Sequence, residues 1–173
     1  ANYLHPSDLQ PESQWALLRE SQADALCLPH TGMVSNIDLG DAKDIHPKTK
    51  REVGRRMAAI ALNQTYGKHK TAFTAPVYER YTVEADGIHI HFATPQGSEP
   101  LVIEDNLPGF ILAGANRQWH VAKAKVLSGN EVVVSCQGID FPVAVRYGWA
   151  DNPTCTLRTQ SGLHVAPFRT DRW

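Results

Sequence analysis

The strongest constraint on the fold is a change in hydrophobic pattern at Lys68. Before this residue, apolar side chains recur with helical spacing in two segments. After it, short alternating or continuous apolar runs follow one another, separated by turns that contain glycine. Strands of this kind predict an all-β, sandwich-like domain. We therefore expect two domains, residues 1–67 and residues 68–173.

The second region contains six predicted strands. Each is an apolar or alternating run of four to eight residues that is bounded by turn residues. The predicted strands are 78–83, 88–93, 110–113, 120–127, 131–136 and 143–148.

The first predicted helix spans residues 11–26 and begins with a proline and an acid, which favour the first helical turn. Trp15 and Leu18 belong to its apolar face, which we expect to be buried. Arg19 and Glu20 fall outside that face, so we expect them to be solvated or paired with near neighbours.

A second predicted helix begins at Thr49, which forms a capping-box pattern with Glu52, and ends near Gly67. Helical spacing predicts a core-facing stripe on it. That stripe comprises Val53, Met57, Ile60 and Ala61.

An apolar run at residues 31–37 predicts a strand between the two helices, followed by a loop at 38–47. Helix, strand, loop and helix form an α/β fragment. A single parallel strand cannot close a core, because it needs neighbours on both sides. Either another polypeptide supplies those strands, or this fragment packs on the β domain.

The loop brings three carboxylates, Asp38, Asp41 and Asp44, close to His46 and Pro47. Histidine suits general-base catalysis because its pKa lies near neutral pH. Pro47 restricts the backbone on either side, so the ring is presented by a stiff segment. A histidine beside aspartates is nevertheless most often a surface or helix-capping residue. The spacing of the acids does not match an EF-hand.

Composition excludes several classes of function. The formal net charge is −1 and the pI is about 6.8, with basic residues scattered, so we expect no nucleic-acid partner. No apolar stretch approaches the length of a spanning helix, and the first residues lack the pattern of a signal peptide. Removal of a precursor segment is an alternative that the sequence leaves open. We expect no membrane partner, no cofactor and no bound metal.

Two further groups of residues leave alternatives open. Cys27, Cys136 and Cys155 show no zinc or redox spacing and are most simply buried thiols, although a bridge between Cys136 and Cys155 would suit a secreted protein. His89 and His91 lie on one face of a predicted strand and supply half of a metal site, but a solvated strand face is the more frequent arrangement.

Ordered motifs across nearly the whole chain carry a family resemblance. In the first region they are Thr31-Gly-Met33, Asp38-Leu-Gly-Asp41, Asp44-Ile-His46-Pro47-Lys48, Val53-Gly-Arg-Arg56 and Tyr66-Gly67. In the second region they are Pro142 to Pro153 and Gly162 to Asp171. Together they resemble the C-terminal part of the sialate O-acetylesterase family.

This resemblance implies an SGNH hydrolase of flavodoxin-like α/β fold, whose C-terminal piece is followed by the β domain. It also implies hydrolysis of acetyl esters on a carbohydrate substrate, either sialic acid or an acetylated polysaccharide, by a serine, a histidine and an acid. His46 matches the catalytic histidine. The general SGNH acid position, three residues before it, is Lys43, so we select Asp44 as the acid; Asp38 and Asp41 are alternatives.

The family's Gly-Gln-Ser-Asn nucleophile motif does not occur in the chain. We expect a second chain, from the N-terminal part of the same precursor, to supply the serine. The alternatives are an inactive remnant and, least favoured, Ser35 as the nucleophile. A non-catalytic β module that binds a glycan or a protein is the rival function. We favour a periplasmic or secreted location over a cytoplasmic one.

Overall fold

Two short α-helices precede two antiparallel β-sheets in the computed structural model, which describes residues 9–44, 46, 48–68 and 71–173. The helices are α1 (Gln14–Asp24) and α2 (Lys50–Gln64), and a 3₁₀ turn (Ala25–Cys27) follows α1. The strands in the described ranges are β1 (Val77–Glu84), β2 (Gly87–Ala93), β3 (Phe110–Gly114), β4 (Trp119–Val121), β5 (Lys123–Ser128), β6 (Glu131–Ser135), β7 (Pro142–Tyr147) and β8 (Phe168–Arg169).

The two sheets each contain four strands, in the orders β1-β2-β6-β5 and β4-β3-β7-β8. Alternation along β2 sends Ile88, Ile90 and Phe92 into the space between the sheets, where they meet apolar residues of β3 and β7. This space holds the main hydrophobic core. The predicted strand at 120–127 is two strands, because the chain passes from one sheet to the other at Ala122.

The expected flavodoxin-like α/β fragment is wrong. The predicted strand at residues 31–37 forms no part of either sheet, and the residues between α1 and α2 that the structure describes contain no strand. Among the described residues the run has no neighbouring strand with which to form a ladder. The described fold is therefore mostly β, and the division between residues 67 and 68 stays a prediction.

The buried faces of the two helices also differ from the expected ones. Trp15 and Leu18 of α1 are exposed, and Ala16 is its buried residue. In α2 the buried residues are Arg56, Ala59 and Asn63, whereas Met57 is exposed. The buried polar residues of α2 have partners outside the strands: Arg56 binds Asp38 and Ser35 O, and Asn63 donates to Ala59 O.

Polar anchors attach residues 9–24 to the end of β7 and the segment that follows it. Ser13 caps α1 by accepting a hydrogen bond from Ala16 N, and its hydroxyl donates to Asp151 at 2.6 Å. Arg19 donates to the carbonyl groups of Gly148 and Ala150. The expectation of local pairing for Arg19 and Glu20 is therefore wrong.

A second set of anchors involves arginines of β7 and β8. Glu20 binds Arg169 with both carboxylate oxygens, at 2.7 and 2.9 Å. Arg146 binds the fully buried Asp171 at 2.6 and 2.9 Å and donates to Pro11 O. These contacts join positions that are more than 100 residues apart in sequence, with the exception of the Arg146 to Asp171 pair.

No disulfide joins Cys136 to Cys155. Neither described helix is long and apolar enough to cross a membrane.

Candidate active site

The loop that carries His46 is shaped by local hydrogen bonds. Leu39 N donates to Asn36 O, and Lys43 N donates to the side chain of Asp41 at 2.9 Å. Thr49 precedes α2 as expected, but its hydroxyl donates to Leu39 O at 3.3 Å and does not cap the helix. The predicted capping box is thus replaced by a bond that ties the start of α2 to the loop.

His46 and Asp44 are in direct contact. One oxygen of the Asp44 carboxylate, Oδ1, accepts from His46 N at 2.9 Å and from His46 Nδ1 at 2.9 Å. A proton on Nδ1 leaves the Nε2 lone pair free to act as a base. A carboxylate two residues before the histidine therefore reaches the ring.

The pair is accessible to solvent and to other molecules. The side chain of His46 is 79% exposed and that of Asp44 is 42% exposed. Hydrogen bonds from the backbone and then the ring of His46 lower the pKa of Asp44, and Lys50 adds to this effect. The carboxylate is therefore ionised at neutral pH, which is the state needed to orient an imidazole.

Asp38 and Asp41, the alternative acids, have other partners. Asp38 binds Arg56 with both oxygens, at 2.8 and 2.6 Å, and Asp41 binds Lys43 N and lies 3.9 Å from Lys48 Nζ. The structure therefore brings Asp44, and not these two acids, to His46. Ile45 and Pro47 lie outside the described residues, so the role expected of Pro47 stays a prediction, as do the catalytic roles of His46 and Asp44.

Arg56 fixes the beginning of the loop. It is nearly fully buried, and besides Asp38 it binds Ser35 O at 2.7 Å and Glu52 at 3.0 Å. Burial acts to raise the pKa of Asp38, but the hydrogen bonds from Arg56 and the attraction of His164 outweigh burial and lower it. Sequence reasoning missed Arg56, although its spacing of four residues from Glu52 is a typical helical ion pair.

His164 connects this cluster to the C-terminal segment. Its Nε2 lies 3.6 Å from an oxygen of Asp38, and its side chain is largely buried. Burial lowers the pKa of His164, against the opposing effect of Asp38. This contact was not visible in the sequence because the two residues are far apart in it.

An open groove of about 380 Å³ runs beside the Asp44 carboxylate. Its walls come from α1, from residues 33–37, from the loop and from the segments 151–153 and 166–167. Trp15, Leu18 and Met33 make part of the wall apolar, and Ser35 also lines it. Ser35 lies within residues 31–36, which form neither a strand nor a helix, so no strand-to-helix turn presents its hydroxyl.

Gly32 allows this stretch to lie close to α2. A Cβ at that position would meet Ile60 Cγ2 at 2.6 Å, which is too close for any side chain. The backbone of the stretch that leads into the loop is therefore packed directly on the helix that follows the loop.

Comparison with known proteins gives a structural relative. No family model matches the chain, and no curated protein matches it. A crystal structure of a novel carbohydrate acetylesterase from Xanthomonas citri is similar to it, with a TM-score of 0.84 and 38% sequence identity. The match covers 98% of this chain and 38% of that chain. The chain is thus similar, over almost all of its length, to 38% of the length of a carbohydrate acetylesterase.

Proposed function

We propose that this chain supplies the histidine and the aspartate of a Ser-His-Asp site that hydrolyses O-acetyl esters on carbohydrates. The observation that carries this proposal is the 2.9 Å contact of Asp44 Oδ1 with His46 Nδ1, which leaves Nε2 exposed. The similarity to an acetylesterase supports the class of substrate. The motifs favour sialic acid or an acetylated polysaccharide as the carrier of the ester.

In the first half of the reaction, His46 acts as base and then as acid. Its Nε2 removes the proton of the serine hydroxyl while the serine oxygen attacks the acetyl carbonyl carbon. Asp44 stabilises the imidazolium that forms. The tetrahedral intermediate then expels the sugar oxygen, which takes the proton from Nε2 and leaves an acetyl-serine.

In the second half, water replaces the sugar. His46 Nε2 takes a proton from a water molecule while the water oxygen attacks the acetyl carbonyl carbon. Collapse of this intermediate breaks the bond to the serine oxygen, which regains the proton from Nε2. The products are acetic acid, which ionises at neutral pH, and the original enzyme.

The serine, on this proposal, belongs to an N-terminal part of the same precursor. Large apolar side chains on the first region are 37% to 58% exposed, namely Trp15, Leu17, Leu18, Leu26, Leu28, Met57 and Leu62. An apolar surface of this kind is typical of an interface. The chain spans 38% of the length of its relative, which leaves ample length for a part that covers this surface.

The experiment is performed on the full-length protein with acetylated sialic acid and acetylated polysaccharide as substrates. His46→Ala should lower kcat by roughly 10³-fold or more and Asp44→Asn by roughly 10²- to 10⁴-fold, because both act as a unit with the serine. The KM should change little. His120→Ala, which removes an exposed histidine of β4, is the matched control and should leave kcat unchanged.

Labelling with a fluorophosphonate identifies the nucleophile. We expect the label on a serine that precedes this chain in the precursor, and we expect His46→Ala to abolish labelling. A label on Ser35 would refute the two-part site. Full activity of His46→Ala would refute the catalytic role of the histidine.

One surface feature favours a glycan-binding module as a second candidate. Phe141 is 82% exposed beside a cleft lined by the polar side chains of Asn116, Gln118 and Gln137. An exposed ring flanked by amides suits stacking on a sugar with hydrogen bonds to its hydroxyl groups. If this surface binds glycans, Phe141→Ala should weaken adsorption to an insoluble polysaccharide, and unchanged adsorption would refute it.

A further inference from the structure

A buried histidine lies on the outer face of the first sheet, away from the candidate active site. Ile88 and Ile90 point into the core, so alternation along β2 directs His89 to the opposite face. Only 7% of His89 is exposed, which contradicts the solvated strand face that sequence patterns favoured. Its neighbours across the sheet are Thr82 on β1 and Val133 on β6.

Three carboxylates surround the ring. His89 Nε2 lies 2.8 Å from Asp86 Oδ1 and 3.8 Å from Glu84 Oε2, and Nδ1 lies 2.8 Å from Glu131 Oε1. One ligand atom from each of Glu84, Asp86 and His89 falls within 4.8 Å of the others. A histidine nitrogen and two carboxylate oxygens therefore converge on one small volume.

The spacing of these atoms is close to what a zinc ion requires. Zinc binds histidine nitrogen and carboxylate oxygen at about 2.0–2.2 Å, so two ligands in a tetrahedral site are about 3.4 Å apart. The distances of 2.8 and 3.8 Å from Nε2 lie on either side of this value. The carboxylates of Glu84 and Asp86 are 51% and 64% exposed, so each can shift by the half ångström that is needed.

Two of the ligands, His89 and Glu84, are each oriented by a hydrogen bond to a neighbouring residue. Glu131 accepts from Nδ1–H of His89, as in the carboxylate-histidine-zinc arrangement. Without an ion, Nε2 is hydrogen-bonded to Asp86 Oδ1 at 2.8 Å, and a metal that binds there would displace the Nε2 proton to solvent. The hydroxyl of Thr82 donates to Glu84 Oε1 at 3.2 Å and leaves Oε2 on the side of His89. The Thr82 hydroxyl is also hydrogen-bonded to His91 Nε2 at 3.1 Å, which fixes the Thr82 side chain.

The backbone at the hairpin tip is fixed in the position that this convergence needs. Gly87 has a φ of 145°, and a Cβ there would lie 2.4 Å from Val134 O. The turn between β1 and β2 therefore approaches β6 closely, which no other residue would allow. This approach holds Asp86, the residue before Gly87, over the sheet that carries His89.

We propose that Glu84, Asp86 and His89 form a binding site for a divalent transition metal such as Zn²⁺, with Glu131 and Thr82 as its supporting residues. The three carboxylates supply the negative charge, and Lys125, whose charge acts on Asp86, offsets part of it. An imidazole ligand selects Zn²⁺ and similar ions over Ca²⁺ and Mg²⁺. A bound ion would join the turn between β1 and β2 to the sheet. This metal-site proposal is independent of the acetylesterase proposal.

The test measures Zn²⁺ binding to the full-length protein after removal of metals with a chelator. Isothermal titration calorimetry should show one more zinc equivalent for the wild-type protein than for Asp86→Asn, which replaces an exposed side chain and should keep the fold. Glu131→Gln should keep the stoichiometry but bind roughly 10- to 100-fold more weakly. His120→Gln is the control and should bind as the wild type does.

Thermal unfolding gives a second readout on the same variants. Zn²⁺ should raise the unfolding temperature of the wild type and of His120→Gln, and should raise it less in Asp86→Asn, because an ion that binds only the folded state stabilises it. Ca²⁺ should have no such effect. Equal zinc stoichiometry and affinity in the wild type, Asp86→Asn and His89→Gln would overturn the proposal, as would equal loss in His120→Gln.

Discussion

Residues 9–68 and residues 77–173 bury opposite kinds of side chain. In the second range the fully buried residues are mainly large and apolar, such as Phe110, Leu112 and Tyr147. In the first range the buried residues are Ser13, Ala16, Arg56, Ala59 and Asn63, and several large apolar residues, such as Leu18 and Met57, are exposed. The β region thus has a core of its own, whereas the first region is held to it by charge and hydrogen bonds.

This difference teaches how the loop with His46 is positioned. Hydrophobic packing tolerates small shifts, but a charge pair with two bonds, such as Arg56 with Asp38, fixes both distance and direction. The first region therefore presents the loop in a defined geometry, while large apolar side chains such as Leu18 and Met57 stay exposed.

The largest predicted effect comes from the β core. Phe110→Ala should reduce the free energy of unfolding by about 3–5 kcal/mol, because the ring is fully buried and packs on Tyr147 with centroids 4.6 Å apart. Leu18→Ala, in the exposed face of α1, should cost less than about 1 kcal/mol in the 173-residue chain. Urea unfolding measures both values, and equal losses would contradict the contrast between the regions.

The next effect concerns the anchor between the regions. Asp171→Asn should cost about 3 kcal/mol, because it leaves the buried guanidinium of Arg146 without its charge partner. The double variant Arg146→Met with Asp171→Leu should recover part of this loss. Proteolysis near residues 9–24 should also accelerate in Asp171→Asn, since Arg146 donates to Pro11 O. Asp24→Asn, at an exposed position, is the control and should behave as the wild type.

Sequence patterns predicted the β region well because its signals are local. Alternation of Ile88, Ile90 and Phe92 with polar residues depends only on the strand to which they belong. Asp44 and His46, whose contact spans two residues, were selected through the family resemblance and not through local patterns. Pattern reasoning merged β4 and β5, because nothing in the sequence marks Ala122 as the point where the chain changes sheets.

The first region was predicted poorly because its contacts are distant in sequence. Arg19 and Glu20 look like a solvated helix face until Gly148 and Arg169 are brought beside them. The burial of His89 depends in the same way on Glu131, which lies 42 residues away and on another strand. Helical periodicity indicates which residues share a face, but not which other residues cover that face.

The smallest predicted effect is a pH dependence at the contact between the regions. The pKa of His164 is lowered by burial, so the unfolded chain binds a proton more readily than the folded one does, and stability should fall as the pH decreases from about 6.5. Asp38, whose pKa is also lowered, should add a loss below about pH 4. The other charged groups that act on His164 are Arg56 and Arg158.

His164→Gln removes the titrating group and should therefore flatten the stability curve between pH 7.5 and 5. The measurement is urea unfolding of the wild type, His164→Gln and His120→Gln at pH 7.5 and at pH 5. His120→Gln, at an exposed position, should keep the slope of the wild type. An unchanged slope in His164→Gln would mean that the burial of His164 does not carry the acid sensitivity over this pH range.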